Sequence, residues 1–131
     1  MTSISSSIRR VSLALTVSAT LVLGACAMMA PPPPAMTAGG MLTDAAGMTL
    51  YTFDRDAAGR SACNGPCAKN WPPLMAPADA KARGDYSVVT RDDGTRQWAY
   101  KGQPLYTWIK DMKAGDTTGD GVNSVWHTAR P

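Results

Sequence analysis

The sequence predicts an all-β fold: a small antiparallel meander of about six short strands built as two pseudo-repeats, with one short helix at most. Three observations carry this reading. First, Gly47-Met48-Thr49-Leu50-Tyr51-Thr52-Phe53-Asp54-Arg55-Asp56 returns as Gly102-Gln103-Pro104-Leu105-Tyr106-Thr107-Trp108-Ile109-Lys110-Asp111, an offset of 55 residues. Five of the ten positions are identical and a sixth exchanges Phe53 for Trp108, a match too dense for chance. Repeats decide architecture, and two copies are too few for a solenoid, so they imply a pseudo-twofold inside one domain. Second, no stretch shows a helical period, and every acidic residue is Asp. Glu favours helices, whereas Asp favours caps and turns. Third, short β-branched and aromatic runs alternate with Gly, Pro and Asp clusters.

Taken in order, Met41-Leu42-Thr43 is a short strand and Asp44-Ala45-Ala46-Gly47 a turn. Thr49 to Phe53 is the first repeat strand. Residues 54–75 form a long irregular excursion, because Pro72-Pro73 excludes a regular element there. Pro77 to Arg83 is the one candidate helix, with Pro77 at its start and Gly84 at its end. Tyr86 to Arg91 and Arg96 to Lys101 flank Asp92-Asp93-Gly94-Thr95, a hairpin signal. In the second of these strands Trp98 and Tyr100 alternate with Gln97 and Lys101. Leu105 to Trp108 is the second repeat strand. Gly115 to Gly121 is a loop, and Ser124 to Ala129 a last strand. Within each repeat strand, Leu50 and Thr52 share one face and Tyr51 and Phe53 the other, as do Leu105 and Thr107 against Tyr106 and Trp108. The aromatic faces can then pack across the pseudo-twofold. Asp56 and Asp111, just past the strands, suit bonds to backbone amides of the following turns.

Ahead of this domain, residues 1–25 read as a signal peptide. Arg9 and Arg10 are its positive region, and Val11 to Leu23 is uncharged and apolar. That run is shorter than the roughly 20 residues of a membrane span. Leu23-Gly24-Ala25-Cys26 resembles a bacterial lipobox, which implies cleavage before Cys26 and lipid attachment to it. An ordinary cleaved signal with an incidental cysteine is the other reading. The cysteine stands where the cleavage site belongs, which favours lipidation. Residues 26–40 then read as the lipidated cysteine and a Pro-rich tether, with Pro31 to Pro34 extended, and 41–131 as the domain. Ala27, where an Asp would resemble an inner-membrane retention signal, points to the outer membrane facing the periplasm.

Charge excludes little. The chain has 13 basic and 10 acidic residues, net +3. Without Arg9 and Arg10 the balance falls to 11 against 10, with no basic patch for nucleic acid. Cys63 and Cys67 are left as an even pair in an oxidising compartment, so a disulfide is the default. Gly65 and Pro66 supply the turn that so short a ring needs.

Tyr51-x-Phe53-x-x-Asp56 and Tyr106-x-Trp108-x-x-Asp111 resemble the repeated Tyr-x-[Phe/Trp/Tyr]-x-x-Asp motif of a family of bacterial secreted-repeat lipoproteins. Cys63-Asn-Gly-Pro-Cys67-Ala-Lys-Asn-Trp71-Pro-Pro-Leu74 and Gly115-Asp-Thr-Thr-Gly119 leading to Val125-Trp126 fit the same pattern. The resemblance implies an exported, often lipid-anchored protein of uncharacterised activity. It supplies no catalytic residues.

The remaining chemistry is sparse. Cys63 and Cys67 lack the C-x-x-C spacing and βαβ context of thiol-exchange sites. With His127, the only histidine, they could make a soft copper site. The methionines are scattered, as gap fillers are. Asp116-Thr-Thr-Gly-Asp120-Gly121 looks like half a calcium loop, but His127 stands where the bidentate Glu belongs. No Gly-x-Ser-x-Gly is present. The expectation is therefore a non-enzymatic envelope protein without cofactor, anchored to a membrane through Cys26 and binding an envelope protein or small ligand. The competing expectation is a copper-binding or thiol-redox accessory protein using Cys63 and Cys67.

Overall fold

The computed structural model describes residues 12, 14–20 and 30–131. The chain divides into Met1–Ala30 and Pro31–Pro131. The described residues of the first unit form no helix or strand. Arg9, Arg10 and the Leu23 to Cys26 stretch, the lipidation site included, lie outside the described residues. Among the described residues no helix is long and apolar enough to cross a membrane.

The second unit is a set of short antiparallel strands. In order they are β1 (Met36–Ala38), β2 (Met41–Thr43), β3 (Tyr51–Phe53), helix α1 (Pro66–Asn70), β4 (Tyr86–Thr90), β5 (Arg96–Tyr100), β6 (Gln103–Pro104), a 3₁₀ turn (Val122–Ser124) and β7 (Trp126–Thr128). They pair as β1-β2, β3-β7 and β4-β5-β6. The all-β reading holds, with one short helix.

Three details differ from the sequence reading. Strand β1 lies inside the stretch read as tether. Gly39 and Gly40 (φ 59° and 76°) form the two-residue turn that joins it to β2, and Ala35 is buried beside it. A Gly-Gly pair is a hairpin signal, here masked by the Pro-rich composition around it. The helix falls at Pro66–Asn70 rather than over 77–83. Pro66 occupies its first turn and Pro72 stops its continuation. Residues 77–83 hold one turn at Ala78-Asp79 and a single bridge from Arg83 to Tyr86, because Ala78-Asp79-Ala80-Lys81-Ala82 has no large apolar face to bury and a helix that short does not hold alone. Gln97, read as the polar side of an alternating strand, is fully buried, as is Ala99. Strand β5 is central in its sheet and covered on both faces.

The two halves are interlocked. In the first, the Leu50 amide donates to Leu42 O (2.9 Å), the Ala129 amide to Leu50 O (2.8 Å), and the Leu42 amide to Ala129 O (2.8 Å). In the second, Leu105 donates to Trp98 O (3.0 Å), Leu74 to Leu105 O (2.9 Å), and Trp98 to Leu74 O (2.8 Å). The closing segment of each half therefore sits in the other half: Leu74 serves the second and Ala129 the first. At the centre Tyr51 and Tyr106 exchange both backbone bonds, at 2.8 and 3.0 Å. The second repeat stretch accordingly carries an isolated bridge at Tyr106, shared with Tyr51 and Pro73, rather than a full strand. Pro104 has no amide hydrogen to extend a ladder there.

Two buried clusters result. Leu42, Leu50, Leu105, Ala35 and Ala129 form the aliphatic one. Tyr51, Tyr106, Trp71, Trp126 and Cys63 form the aromatic one, with Phe53 and Trp108 packed against it. The two faces of each repeat strand thus feed separate cores. Both repeat glycines, Gly47 and Gly102, hold φ near the left-handed region (82° and 81°), which is why glycine recurs there.

Candidate functional site

The aromatic cluster is a column. Phe53 stacks on Trp126 (centroids 4.2 Å, planes 14° apart), Trp126 on Trp71 (3.8 Å, 4°) and Trp71 on Trp108 (3.9 Å, 24°). Trp71 and Trp126 are themselves 55 residues apart, so the pseudo-twofold runs between them. Phe53 and Trp108 cap the ends, each against the other half's tryptophan. Tyr51 meets Trp71 edge-on at 5.4 Å and Tyr106 meets Trp126 edge-on at 5.2 Å. Edge-to-face contact places the positive ring edge on the negative ring face. The sequence marks Tyr51, Phe53, Tyr106 and Trp108 as one aromatic face. It does not mark Trp71 and Trp126 as the centre, although the repeat offset would have paired them.

The tyrosine hydroxyls cross between repeats. Tyr51 donates to Asp111 Oδ2 at 2.6 Å, and Tyr106 donates to Asp56 Oδ2 at 2.7 Å. The second oxygen of each carboxylate holds its own following turn. Asp56 Oδ1 accepts from the Ala62 amide at 2.7 Å, and Asp111 Oδ1 from the Thr118 amide and hydroxyl at 2.9 and 2.6 Å. The fixed Tyr-to-Asp spacing thus places each Asp to hold its own turn while receiving the other repeat's phenol.

A buried guanidinium supports one side only. Arg91 donates through Nη1 to Ser61 Oγ (2.9 Å) and Gln97 Oε1 (2.7 Å), and through Nη2 to Cys63 O (2.6 Å). Ser61 Oγ lies 2.7 Å from Tyr106 Oη. Because the Tyr106 proton points to Asp56, the Ser61 hydroxyl is the donor in that contact. On the other side the Gly119 amide takes this place, donating to Tyr51 Oη at 3.2 Å. Gly119 is obligatory: a Cβ there would lie 2.8 Å from the Trp71 ring and 3.0 Å from that of Tyr51. Sequence reading missed Arg91, Ser61 and Gln97, since polar residues in β-rich and loop contexts ordinarily face solvent.

Burial pushes both phenols well above their ordinary range, reinforced by their carboxylate partners. Burial likewise raises the Asp56 carboxyl, against the opposing pull of the Ala62 amide, the Tyr106 hydroxyl and Arg91. A raised folded-state pKa means stability that is complete below the unfolded phenol's value of about 10 and is lost as pH climbs above it. In an alkaline titration followed by phenolate absorbance, Tyr51 and Tyr106 are expected to ionise only as the domain unfolds. Their smooth ionisation in a folded domain near pH 10 would contradict this placement.

Of the other sequence candidates, Cys63 packs in the aromatic cluster with Cys67 against it, while His127 and the Asp116 to Gly121 loop contribute no side chain to that cluster. Cys63 and Cys67 are joined in a disulfide. His127 faces solvent, with Nε2 at 2.7 Å from Asp54 Oδ2. Among the described residues no group of three His, Cys, Asp or Glu is placed to hold a metal. In the half calcium loop, Asp116 accepts the Met112 and Lys113 amides and Asp120 the Thr128 amide.

No curated protein and no solved structure matches the chain. A family model described as a secreted repeat of unknown function matches it twice, over residues 35–75 and 87–130. Those two spans are the interlocked halves. The chain belongs to that family of secreted repeats of unknown function, and carries two of them closed on each other.

Proposed function

We propose that this is a lipid-anchored cell-envelope protein, held through Cys26 in the outer membrane facing the periplasm, whose double repeat is a non-enzymatic binding or structural module. One observation carries the reading of the domain. The hydroxyls and carboxylates of the doubled motif bond one another and the adjoining turns, so the motif's polar chemistry is a fastening between halves. Membership in a secreted family and the disulfide both suit an oxidising compartment. The disulfide also bears on the copper reading, since soft copper ligation needs thiolates and both sulfurs are bonded to each other.

Cys26→Ser is expected to abolish lipid labelling in cells and to leave the precursor uncleaved or release it from the membrane fraction. Retained labelling would sink the anchor. In the same preparation, thiol titration of the unfolded chain without reductant should find neither Cys63 nor Cys67. Two free thiols that take up one Cu(I) tightly would instead favour the copper reading.

A further inference from the structure

The aromatic column has chemistry that holding two halves together does not require. Three indoles in face contact form one electron-rich unit, because a hole on one ring is shared with those stacked on it. The column's ends, Phe53 and Trp108, are half-buried, while Trp71, Trp126, Tyr51 and Tyr106 are buried. Phe53 is hard to oxidise, which leaves Trp108 as the accessible end. Lys110 Nζ stands 5.6 Å over the Trp108 ring. A cation there disfavours positive charge on that indole and drives a hole inward. Flanking the two inner indoles are two phenols, each already hydrogen-bonded to a carboxylate at 2.6 and 2.7 Å. A phenol that loses an electron becomes a strong acid, so a carboxylate at that distance takes its proton without any rearrangement.

The geometry points to a hole relay: Trp108, Trp71 and Trp126 conduct a one-electron oxidation inward, and either the Tyr51–Asp111 or the Tyr106–Asp56 pair stores it as one buried neutral phenoxyl radical. The oxidant is a diffusible radical of the peroxyl class. It takes one electron from Trp108 and, with a proton from water, leaves as a hydroperoxide. The hole passes to Trp71 and Trp126. One tyrosine then fills each hole: either Tyr106 returns an electron to Trp126 as its phenolic proton moves to Asp56 Oδ2, or Tyr51 returns it to Trp71 as its proton moves to Asp111 Oδ2. A reductant of the enediol or quinol class restores the electron, and the carboxyl gives back the proton. The raised Asp56 carboxyl suits it as the acceptor. Burial of both tyrosines keeps the stored radical from coupling with a second molecule.

The test is flash oxidation of the full chain, purified in detergent, by photogenerated ruthenium(III) tris-bipyridine. The readouts are transient absorption and electron paramagnetic resonance of freeze-quenched samples. The expected result is a persistent neutral phenoxyl signal, lost in the Tyr51→Phe, Tyr106→Phe double variant although Tyr86 and Tyr100 remain. Trp108→Phe should lower its yield several-fold. Asp56→Asn with Asp111→Asn keeps every ring and should leave indole radical in place of phenoxyl. Circular dichroism of the stacked Trp71 and Trp126 reports whether a variant keeps the column. Where a double variant loses that band, the end-of-column Trp108→Phe decides. Phenoxyl persisting in the folded tyrosine double variant, forming at the wild-type rate in the asparagine variant, or undiminished by Trp108→Phe would overturn the relay.

Discussion

Trp71→Ala is expected to cost about 3–5 kcal/mol, the range for emptying a large buried aromatic site. Trp71 touches Trp126 and Trp108 with its two faces and meets the Tyr51 ring at a steep angle. Its neighbours come from both halves, so collapse around the vacancy would have to move both at once. A domain of this size holds about 5–15 kcal/mol in total. At about 4–8 °C per kcal/mol, the melting temperature should fall by at least about 12 °C. Trp108→Ala, at the half-buried end with one face packed, should cost clearly less. A Trp71→Ala protein melting within a few degrees of wild type would show that the column does not hold the halves together.

Arg91→Met should cost about 2–5 kcal/mol for a different reason. The substitution keeps apolar bulk but strands Gln97 Oε1 and Cys63 O in the interior, where each lost partner is felt in full. Among the described residues every buried side-chain nitrogen and oxygen has a partner, so an unpartnered Gln97 Oε1 would be an exception in this interior. Arg91→Lys should recover little, because an ammonium cannot reproduce the two-pronged contact with Ser61 and Cys63. Urea midpoints of the two variants measure this. Full recovery by lysine would mean that charge, rather than the fork, matters at this site.

These two residues also mark where the sequence is readable and where it is not. Tyr51, Asp56, Tyr106 and Asp111 are legible because they recur at one offset, and a repeated pattern carries its own confirmation. Trp71 and Trp126 share that offset but sit in dissimilar surroundings, one just after the disulfide-bearing helix and one at the start of β7. Their partnership shows only when the halves close. Arg91 and Gln97 are misleading locally: each occupies a strand-end or alternating position that ordinarily faces water. Both are inside because a third segment from the other half covers them. The Pro77 to Arg83 stretch misleads in the opposite direction. It has helix punctuation but nothing to bury, and Arg83 instead donates to the Pro31 and Pro32 carbonyls. The Gly39-Gly40 hairpin was readable from the sequence, but the proline run beside it suggests a tether.

By itself the sequence determines short strands, a pseudo-repeat, an aromatic and an aliphatic face on each repeat strand, and a cysteine pair close enough to bond. All of these follow from local spacing, since a strand's period assigns faces and a turn residue assigns a reversal. Only the tertiary structure decides the partners. Tyr51 bonds Asp111 across 60 residues and Tyr106 bonds Asp56 across 50, while Leu74 and Ala129 each close the opposite half. Pairing within a repeat and pairing between repeats satisfy the same spacing. The choice between them falls to the packing of Trp71 on Trp126, which exists only when the two halves are joined.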